Sequence, residues 1–221
     1  MIWIRDVKTK RDTIVVTGSA KYPITANQAF WSVTVASIDR QPAAAARSLR
    51  TKSAAVTKYL HDAGLAADVS KPPVDVQPTS VEIPTGLTKP RFRAVPAFQV
   101  TQSFDVQTTN IDTLVKAAAS VDQLLIQGID VSVSSIQYVS TKLKTAKFAA
   151  LRLATADAAE RATTIAQGLG GHLGAVRNVS LGVYQITPRN STDVSNEGIS
   201  DTSSRLKDVT AVVSVTFAVN R

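Results

Sequence analysis

The sequence lacks cysteine and contains few histidines, few aromatic residues and no long apolar run. Without cysteine it has no disulfide, no thiolate nucleophile and no cysteine ligand for a metal. Aromatic residues make up 5% of the chain, and proteins that bind single-stranded nucleic acid usually stack the bases on aromatic side chains. A membrane-spanning helix needs roughly 18 consecutive apolar residues. We therefore expect no cysteine chemistry, no membrane span within these residues and no nucleic-acid partner.

The composition is that of a folded protein with an excess of positive charge. Hydrophobic residues account for 44% of the 221 residues and charged residues for 19%, so a sizeable core is expected. Lysine and arginine number 25 against 17 aspartate and glutamate, which gives a net charge of +8. Such a charge favours anionic partners, including lipid headgroups and acidic polymers. The basic residues are scattered, and among them are Arg47, Arg50, Lys58, Lys89, Arg91, Arg93, Lys142, Lys144 and Lys147.

Residues 1–11 differ from the rest of the sequence. The apolar stretch Met1–Ile4 is too short for the core of a signal peptide, and several basic residues follow it. We interpret this segment as the remnant that follows a removed export signal or membrane anchor. Membrane contact is expected only through that missing anchor.

The first third of the chain predicts two strands and a helix. Residues 13–20 are rich in β-branched side chains and predict a strand that ends near Pro23. Residues 30–38 alternate between apolar and polar side chains and predict a second strand, antiparallel to the first. A helix begins at Pro42, which is tolerated in a first turn, and it ends at Gly64.

The middle of the chain predicts an edge strand, a second helix and two further strands. Residues 74–83 are extended, and their prolines confine them to a sheet edge or a loop. A turn is expected at residues 85–91, and residues 98–106 alternate as a strand with one solvated face. Asn110 is suited to cap a helix that runs to Gly128. Residues 129–133 return to a strand-like alternation.

The last part of the chain predicts the longest helix and two more strands. The helix spans residues 142–169, and strands follow at residues 176–186 and 209–219. The last strand has the most regular alternation, and we expect it to be central or paired over its whole length. The helix places a ridge of small side chains on one face, formed by Ala150, Ala154, Ala158, Ala162 and Ala166.

These elements predict an α+β fold with antiparallel sheets and helices packed on one face. Strand pairs recur around a helix, which suggests two related structural halves. We place these halves at about residues 12–108 and 109–221, within one domain that covers residues 12–221.

The glycine-rich segment GLGGHLG, residues 168–174, superficially resembles a nucleotide-binding loop. Such a loop follows a strand and opens a helix, so that the helix N-terminus meets the phosphate. Here the glycines follow a predicted helix and precede a predicted strand. We therefore interpret them as a helix end and a tight turn.

The two histidines, His61 and His172, do not predict a catalytic or metal site. Each lies at or just after the end of a predicted helix, where a cation is favoured by the helix dipole. A zinc site would need carboxylate ligands that the sequence does not place near them. A Ser-His-Asp combination can be chosen from any chain rich in serine and aspartate. We predict no catalytic residues, no enzymatic activity and no cofactor.

One polar loop has the spacing of a calcium site at five positions. In a calcium loop the twelfth position carries a bidentate glutamate and helices flank the loop. Here the twelfth position is Ser204, and the flanking segments are predicted strands. A solvated loop is the preferred interpretation and a metal site the weak alternative. The residues at positions one, three, five, six and nine are Asp193, Ser195, Glu197, Gly198 and Asp201.

Three segments resemble the SIMPL-domain family of bacterial cell-envelope proteins. They are TIVVTGSAKYPITANQAFWSVTV near the start, AERATTIAQGLGGHLGAV at the glycine-rich end of the alanine-ridged helix, and VYQITPRNSTDVSNEGISDTSSRLKDVTAVVSVTFAV at the end. The resemblance extends from about Asp12 to Val219. It implies two strand-helix-strand-strand units, a periplasmic or otherwise extracytoplasmic location, an N-terminal signal or anchor, and homo-oligomers. It assigns no catalytic residues.

The sequence and the resemblance together favour a non-enzymatic envelope protein that acts as an oligomeric assembly module. The alternative is a binding module for an anionic envelope component, either a lipid headgroup or an acidic polymer. Affinity of that second kind should weaken steeply as salt is added.

Overall fold

The structure, a computed structural model, describes residues 13–85 and 91–220. Its strands and helices confirm the predicted α+β class. Residues 1–11, interpreted above as the segment after an anchor, lie outside the described residues, as do residues 86–90 of the expected turn. None of the described helices is long and apolar enough to span a bilayer.

Fifteen elements are used below, in chain order. The strands are β1 (Thr13–Thr25), β2 (Gln28–Asp39), β3 (Val69–Ser70), β4 (Asp75–Thr85), β5 (Arg91–Thr108), β6 (Val131–Val133), β7 (Gln137–Val139), β8 (His172–Leu181), β9 (Gln185–Pro188), β10 (Ile199–Ser200) and β11 (Leu206–Asn220). The helices are α1 (Pro42–Asp62), α2 (Ile111–Ala119), α3 (Asp122–Ile126) and α4 (Leu143–Gly168).

Contacts along the chain divide it into two compact units. The split unit combines the N-terminal part through Ala26 with the C-terminal part from Ser140, and the continuous unit is Asn27–Val139. The sequence placed two halves at about 12–108 and 109–221, whereas the spatial division falls at residues 26 and 139. The difference arises because β1 pairs with the last strand of the chain.

The split unit is a sheet covered on one face by α4. Its central strand is β11, as the regular alternation predicted: β1 pairs along one side, and β8 and β9 pair along the other. The alanine ridge of α4 is fully buried against this sheet. The approach is closest at Gly18 of β1, where a β-carbon would overlap the Ala154 carbonyl oxygen and the Ala158 nitrogen. Small residues on both elements are therefore required for the helix to lie this near to the strand.

The continuous unit has a second sheet, in which β5 lies between β2 and β4. The alternating side chains of β2 turn Trp31, Val33 and Val35 inward, and α1 contributes Leu49 and Leu60 to the same core. Helix α1 has the predicted bounds, with Pro42 in its first turn and Gly64 at a φ of 76° after its end. Strand β4 pairs only with β5 among the described residues, which confirms its predicted place at a sheet edge.

Both units share one connection order. In each, the first strand comes before a long helix in the order of the unit's own elements, although the continuous unit is inserted between β1 and α4. The last strand pairs with the first strand on one side and an intervening strand on the other. The sequence order is β2, α1, β4 and β5 in the continuous unit, and β1, α4, β8 and β11 in the split unit. Two strand-helix-strand-strand units are therefore present.

The predicted pairing of the first two strands is wrong. Strand β1 pairs with β11 over its whole length, and β2 pairs with β5. The two residues Ala26 and Asn27 carry the chain from one sheet to the other. Alternation indicates which face of a strand is buried, but it does not identify the neighbouring strand.

The single helix predicted from Asn110 to Gly128 is in fact two short helices, α2 and α3. The Asn110 side chain caps α2 as predicted, by accepting from the Thr113 nitrogen at 3.3 Å. The helix ends because the Ala117 carbonyl accepts from the Tyr59 hydroxyl and from the Ser120 nitrogen. That carbonyl would otherwise accept from residue 121 in a continuing helix.

The strand predicted at residues 176–186 is also divided, into β8 and β9. The break lies at Gly182, whose nitrogen donates to the Val212 carbonyl at 3.0 Å. Both pieces pair with the same side of β11, β8 near its end and β9 near its start. The predicted segment therefore forms one edge in two parts.

Candidate functional site

The polar loop between β9 and β11 contains a buried ion pair. The Lys207 ammonium lies 2.9 Å from the Asp201 carboxylate and also donates to the Asp201 carbonyl. The side chains of Lys207 and Asp201 are only 3% and 8% exposed. The loop is therefore closed onto β11 by a charge pair that is largely removed from water.

The environment of Asp201 lowers its pKa. Burial raises the pKa of this carboxyl, but hydrogen bonds from Ser203 and Lys207, together with the positive charge of Lys207, outweigh it and lower the pKa to about 2. Ser203 donates through both its hydroxyl and its backbone nitrogen, and Ser204 donates through its nitrogen. Asp201 is therefore charged at neutral pH and fully engaged within the protein.

The other residues of the predicted calcium-like spacing point elsewhere. Asp193 accepts from the Ser191 hydroxyl at 2.8 Å, and Ser195 exchanges two hydrogen bonds with the side chain of Gln185. Asp193 and Glu197 are exposed, whereas Asp201 turns inward to Lys207. Residues 13–85 and 91–220 contain no group of three or more His, Asp or Glu residues able to hold a metal. The spacing of the loop thus serves its own hydrogen bonding.

A second charged pair fixes the start of the same loop. The Arg189 guanidinium lies 3.8 Å from the Asp208 carboxylate and donates to the Ile24 carbonyl at 3.2 Å. The Asp208 carboxylate also accepts from the Asn190 nitrogen at 3.1 Å. Asn190 has a φ of 64°, a left-handed conformation that asparagine tolerates. The loop is tied in this way to β1 as well as to β11.

Sequence reasoning did not identify Lys207 and Asp208 as buried residues. The sequence did contain an indication of this burial. Lys207 lies two residues before Val209 and four before Ala211, so its side chain is on the same face of β11, which is the core face. A charged residue in an inward register position requires a partner. Looking for an acid in the adjoining loop would have identified Asp201.

The glycine-rich segment ends α4 and begins β8, which confirms its interpretation as a helix end and turn. Gly170 has a φ of 75° just after the helix, and β8 starts at His172. A β-carbon at Gly171 would lie 2.9 Å from the Asn220 carbonyl oxygen. These glycines therefore allow a turn and a close approach to β11.

A depression of about 720 Å³ lies on the continuous unit and was not predicted. Phe30, Ser32 and Asp105 line it, and the Ser32 hydroxyl donates to the Asp105 carboxylate at 2.7 Å. Its lining includes two aspartates and no lysine, arginine or histidine. Its chemistry does not suit an anionic ligand.

The three long edge strands differ in how their edges are protected. On β1, the Asp157 carboxylate of α4 accepts from the Ser19 nitrogen at 2.8 Å and from Arg161 at 2.9 Å, and both bonds lower the pKa of Asp157. On β4, Pro78 and Pro84 interrupt the row of backbone donors. Such devices prevent sheets from joining edge to edge.

Within residues 13–85 and 91–220, strand β8 has neither of these protections. It contains no proline or lysine, and every residue from Ala175 to Leu181 is exposed. Val176, Val179 and Leu181 pair with inward-facing residues of β11, yet they are 54%, 53% and 60% exposed. They extend the apolar face of the sheet past the cover that α4 provides. Two register shifts disturb the first half of β8, so its regular part is residues 178–181.

The fold, the polar loop and the edge strands together define a class of protein. It is an α+β protein with two strand-helix-strand-strand units and a loop closed by internal charge pairs, and the part of the chain that the structure describes leaves the edge of β8 unprotected. The family model described as SIMPL, protein of unknown function (DUF541), matches residues 14–217. The chain therefore belongs to the SIMPL family, as its sequence resemblance implied. No curated protein matches it.

Proposed function

We propose that this protein is a non-enzymatic module of the bacterial cell envelope whose copies assemble through β8. The observation that carries the proposal is the exposed apolar row of Val176, Val179 and Leu181 on an unprotected edge. An edge of this kind presents unpaired backbone donors and acceptors to another strand. Burying the same row between copies removes apolar surface from water.

A second copy of β8 is a suitable partner for this edge. Two identical edges related by a twofold axis are self-complementary, because each offers the other the same pattern of groups. Residues 173–181 contain one charged side chain, Arg177, so two copies meet with little repulsion. Residues 178–181 are expected to form the pairing, since the register shifts lie before them.

A non-enzymatic role is consistent with how the charged residues of the polar loop are used. Asp201 and Lys207 neutralise each other, and Asp208 binds Arg189 and the backbone of Asn190. These contacts hold the loop on the sheet. The proposed envelope location is supported by the family resemblance alone, and fractionation of cells that express the full-length gene product tests it, with recovery in the cytosol contradicting it.

The assembly proposal is tested by Val179→Lys. A lysine at this edge places a charge where strands would meet, so we expect the mass measured by light scattering to fall from oligomer to monomer. The matched control is Val76→Lys, which changes a residue of nearly equal exposure, 56%, on the proline-protected edge β4. The control should keep the wild-type mass.

Three results would count against the proposal. A wild-type protein that is monomeric at high concentration contradicts assembly itself. Equal dissociation of both variants, or none in Val179→Lys, removes β8 as the interface. Circular dichroism of each variant confirms that the fold is retained.

A further inference from the structure

The outer face of the first half of α4 combines basic residues with an exposed aromatic ring. Lys144, Phe148 and Arg152 follow one another at intervals of four, which places them in one line along the helix. All three are exposed, and Phe148 is 62% exposed. Lys142 precedes the helix and Lys147 flanks the line, with its ammonium 5.3 Å from the centre of the Tyr184 ring. We call these five residues the α4 patch.

The charges of the α4 patch are not explained by the stability of the helix. Cations near a helix N-terminus are unfavourable, because the helix dipole is positive there. Yet α4 has no acidic residue in its first turn, and its first acidic residue is Asp157. In the described part of the chain, no carboxylate forms an ion pair with any basic residue of the patch. The patch is thus a concentration of unneutralised positive charge.

The exposed ring in the middle of this charge indicates the kind of surface that the patch fits. The opposite face of α4 is committed to the sheet through its buried alanines, so the helix cannot turn over and insert. A single aromatic side chain can still enter the headgroup region of a bilayer while the basic side chains contact phosphates. Clustered lysine and arginine beside an apolar group are typical of peripheral binding to anionic lipid.

We propose that the α4 patch binds the surface of an anionic phospholipid bilayer, with Phe148 inserted among the headgroups and Lys144 and Arg152 at the phosphates. The charge of the chain, +8, is complementary to such a surface. The inference goes beyond assembly through β8 and does not depend on it, because the patch is complete within one chain.

The test is cosedimentation of the full chain with vesicles of phosphatidylglycerol and phosphatidylcholine in a ratio of about 1:3. We expect binding that weakens as salt rises, and no binding to phosphatidylcholine alone. The double variant Lys144→Glu with Arg152→Glu should lower the partition coefficient at least about tenfold. Arg47→Glu with Arg50→Glu is the matched control, since it makes the same change in net charge at exposed positions of α1. The control should lower binding much less.

A second measurement tests the place of Phe148. The variant Phe148→Trp should show a blue shift of fluorescence with anionic vesicles, beyond the signal of the wild-type protein, as the indole leaves water. The shift should be absent with soluble polyphosphate. Equal loss of binding in the two charge-reversal variants, equal binding to both kinds of vesicle, or no blue shift would each overturn the proposal. Thermal unfolding of each variant shows that it remains folded.

Discussion

Lys207 occupies an inward-facing position of β11, where a charged side chain is stable only with a partner. Asp201→Asn removes the partner's charge and leaves the ammonium buried. We expect this variant to lose roughly 3 kcal/mol of the free energy of unfolding, the cost typical of breaking a buried pair. Urea unfolding at neutral pH measures the loss. Asp193→Asn, which changes an exposed aspartate of the same loop, is the control and should differ little from wild type.

The same carboxyl predicts a pH dependence. Its folded pKa, about 2, lies below its ordinary value of 3.8. A group with a lowered folded pKa stabilises the protein above its unfolded pKa, and the contribution is lost as the pH falls through the folded value. Wild type should therefore lose on the order of 2 kcal/mol between about pH 4 and pH 2 that Asp201→Asn does not lose. A constant difference between the two proteins across this range would contradict the assignment.

Adding a methyl group should reduce the free energy of unfolding most at Gly18. In Gly18→Ala the new methyl group would overlap the backbone of α4 at Ala154 and Ala158. We expect a loss of about 1–3 kcal/mol or more, as in other overpacked cores. Gly168→Ala is a matched control at the end of the same helix, where the methyl group meets nothing within 4 Å and should be neutral or stabilising. Thermal unfolding compares the two, and equal losses would argue against close packing at Gly18.

At the scale of elements, the sequence predicts what depends on local pattern. Helices α1 and α4 and strand β11 were predicted almost to their ends, because side-chain period, prolines and glycines determine them locally. The partner of β1 was not predicted, since the register that joins it to β11 connects opposite ends of the chain. The break between α2 and α3 was missed for a similar reason: the Tyr59 hydroxyl that engages the Ala117 carbonyl comes from α1.

The functional surfaces show the same difference between features that local pattern predicts and features that depend on tertiary contacts. The sequence analysis named Lys142, Lys144 and Lys147 but described them as scattered, and it did not single out Arg152, because the alignment of these residues with Phe148 depends on the rotation of α4 against the sheet. Phenylalanine is a residue type usually found in a protein core, yet Phe148 is 62% exposed. The edge of β8 was likewise hidden, because it was joined in the prediction to the buried residues of β9. Exposure at these positions is a tertiary property that no local pattern contains.

At the scale of the whole molecule, one unit is continuous in sequence and the other is not. The continuous unit begins and ends at adjacent points, because the Asn27 nitrogen donates to the Val139 carbonyl at 3.1 Å. It has its own core around Phe104 and Leu114. The split unit, by contrast, needs β1 from the start of the chain to pair with β11 and to pack beneath α4.

This difference predicts how fragments behave. Residues 27–139 should fold alone, with dispersed NMR spectra and cooperative thermal unfolding, because the strand pairings of their described residues are all internal. Residues 140–221 alone should not fold, since β11 loses its partner along one whole side and α4 loses its close contact with Gly18 of β1. Joining residues 13–26 to residue 140 through a short glycine-serine segment should restore folding, because β1 is regained. If residues 140–221 fold without β1, or if residues 27–139 remain unfolded, then the two units depend on different contacts from those that define them here.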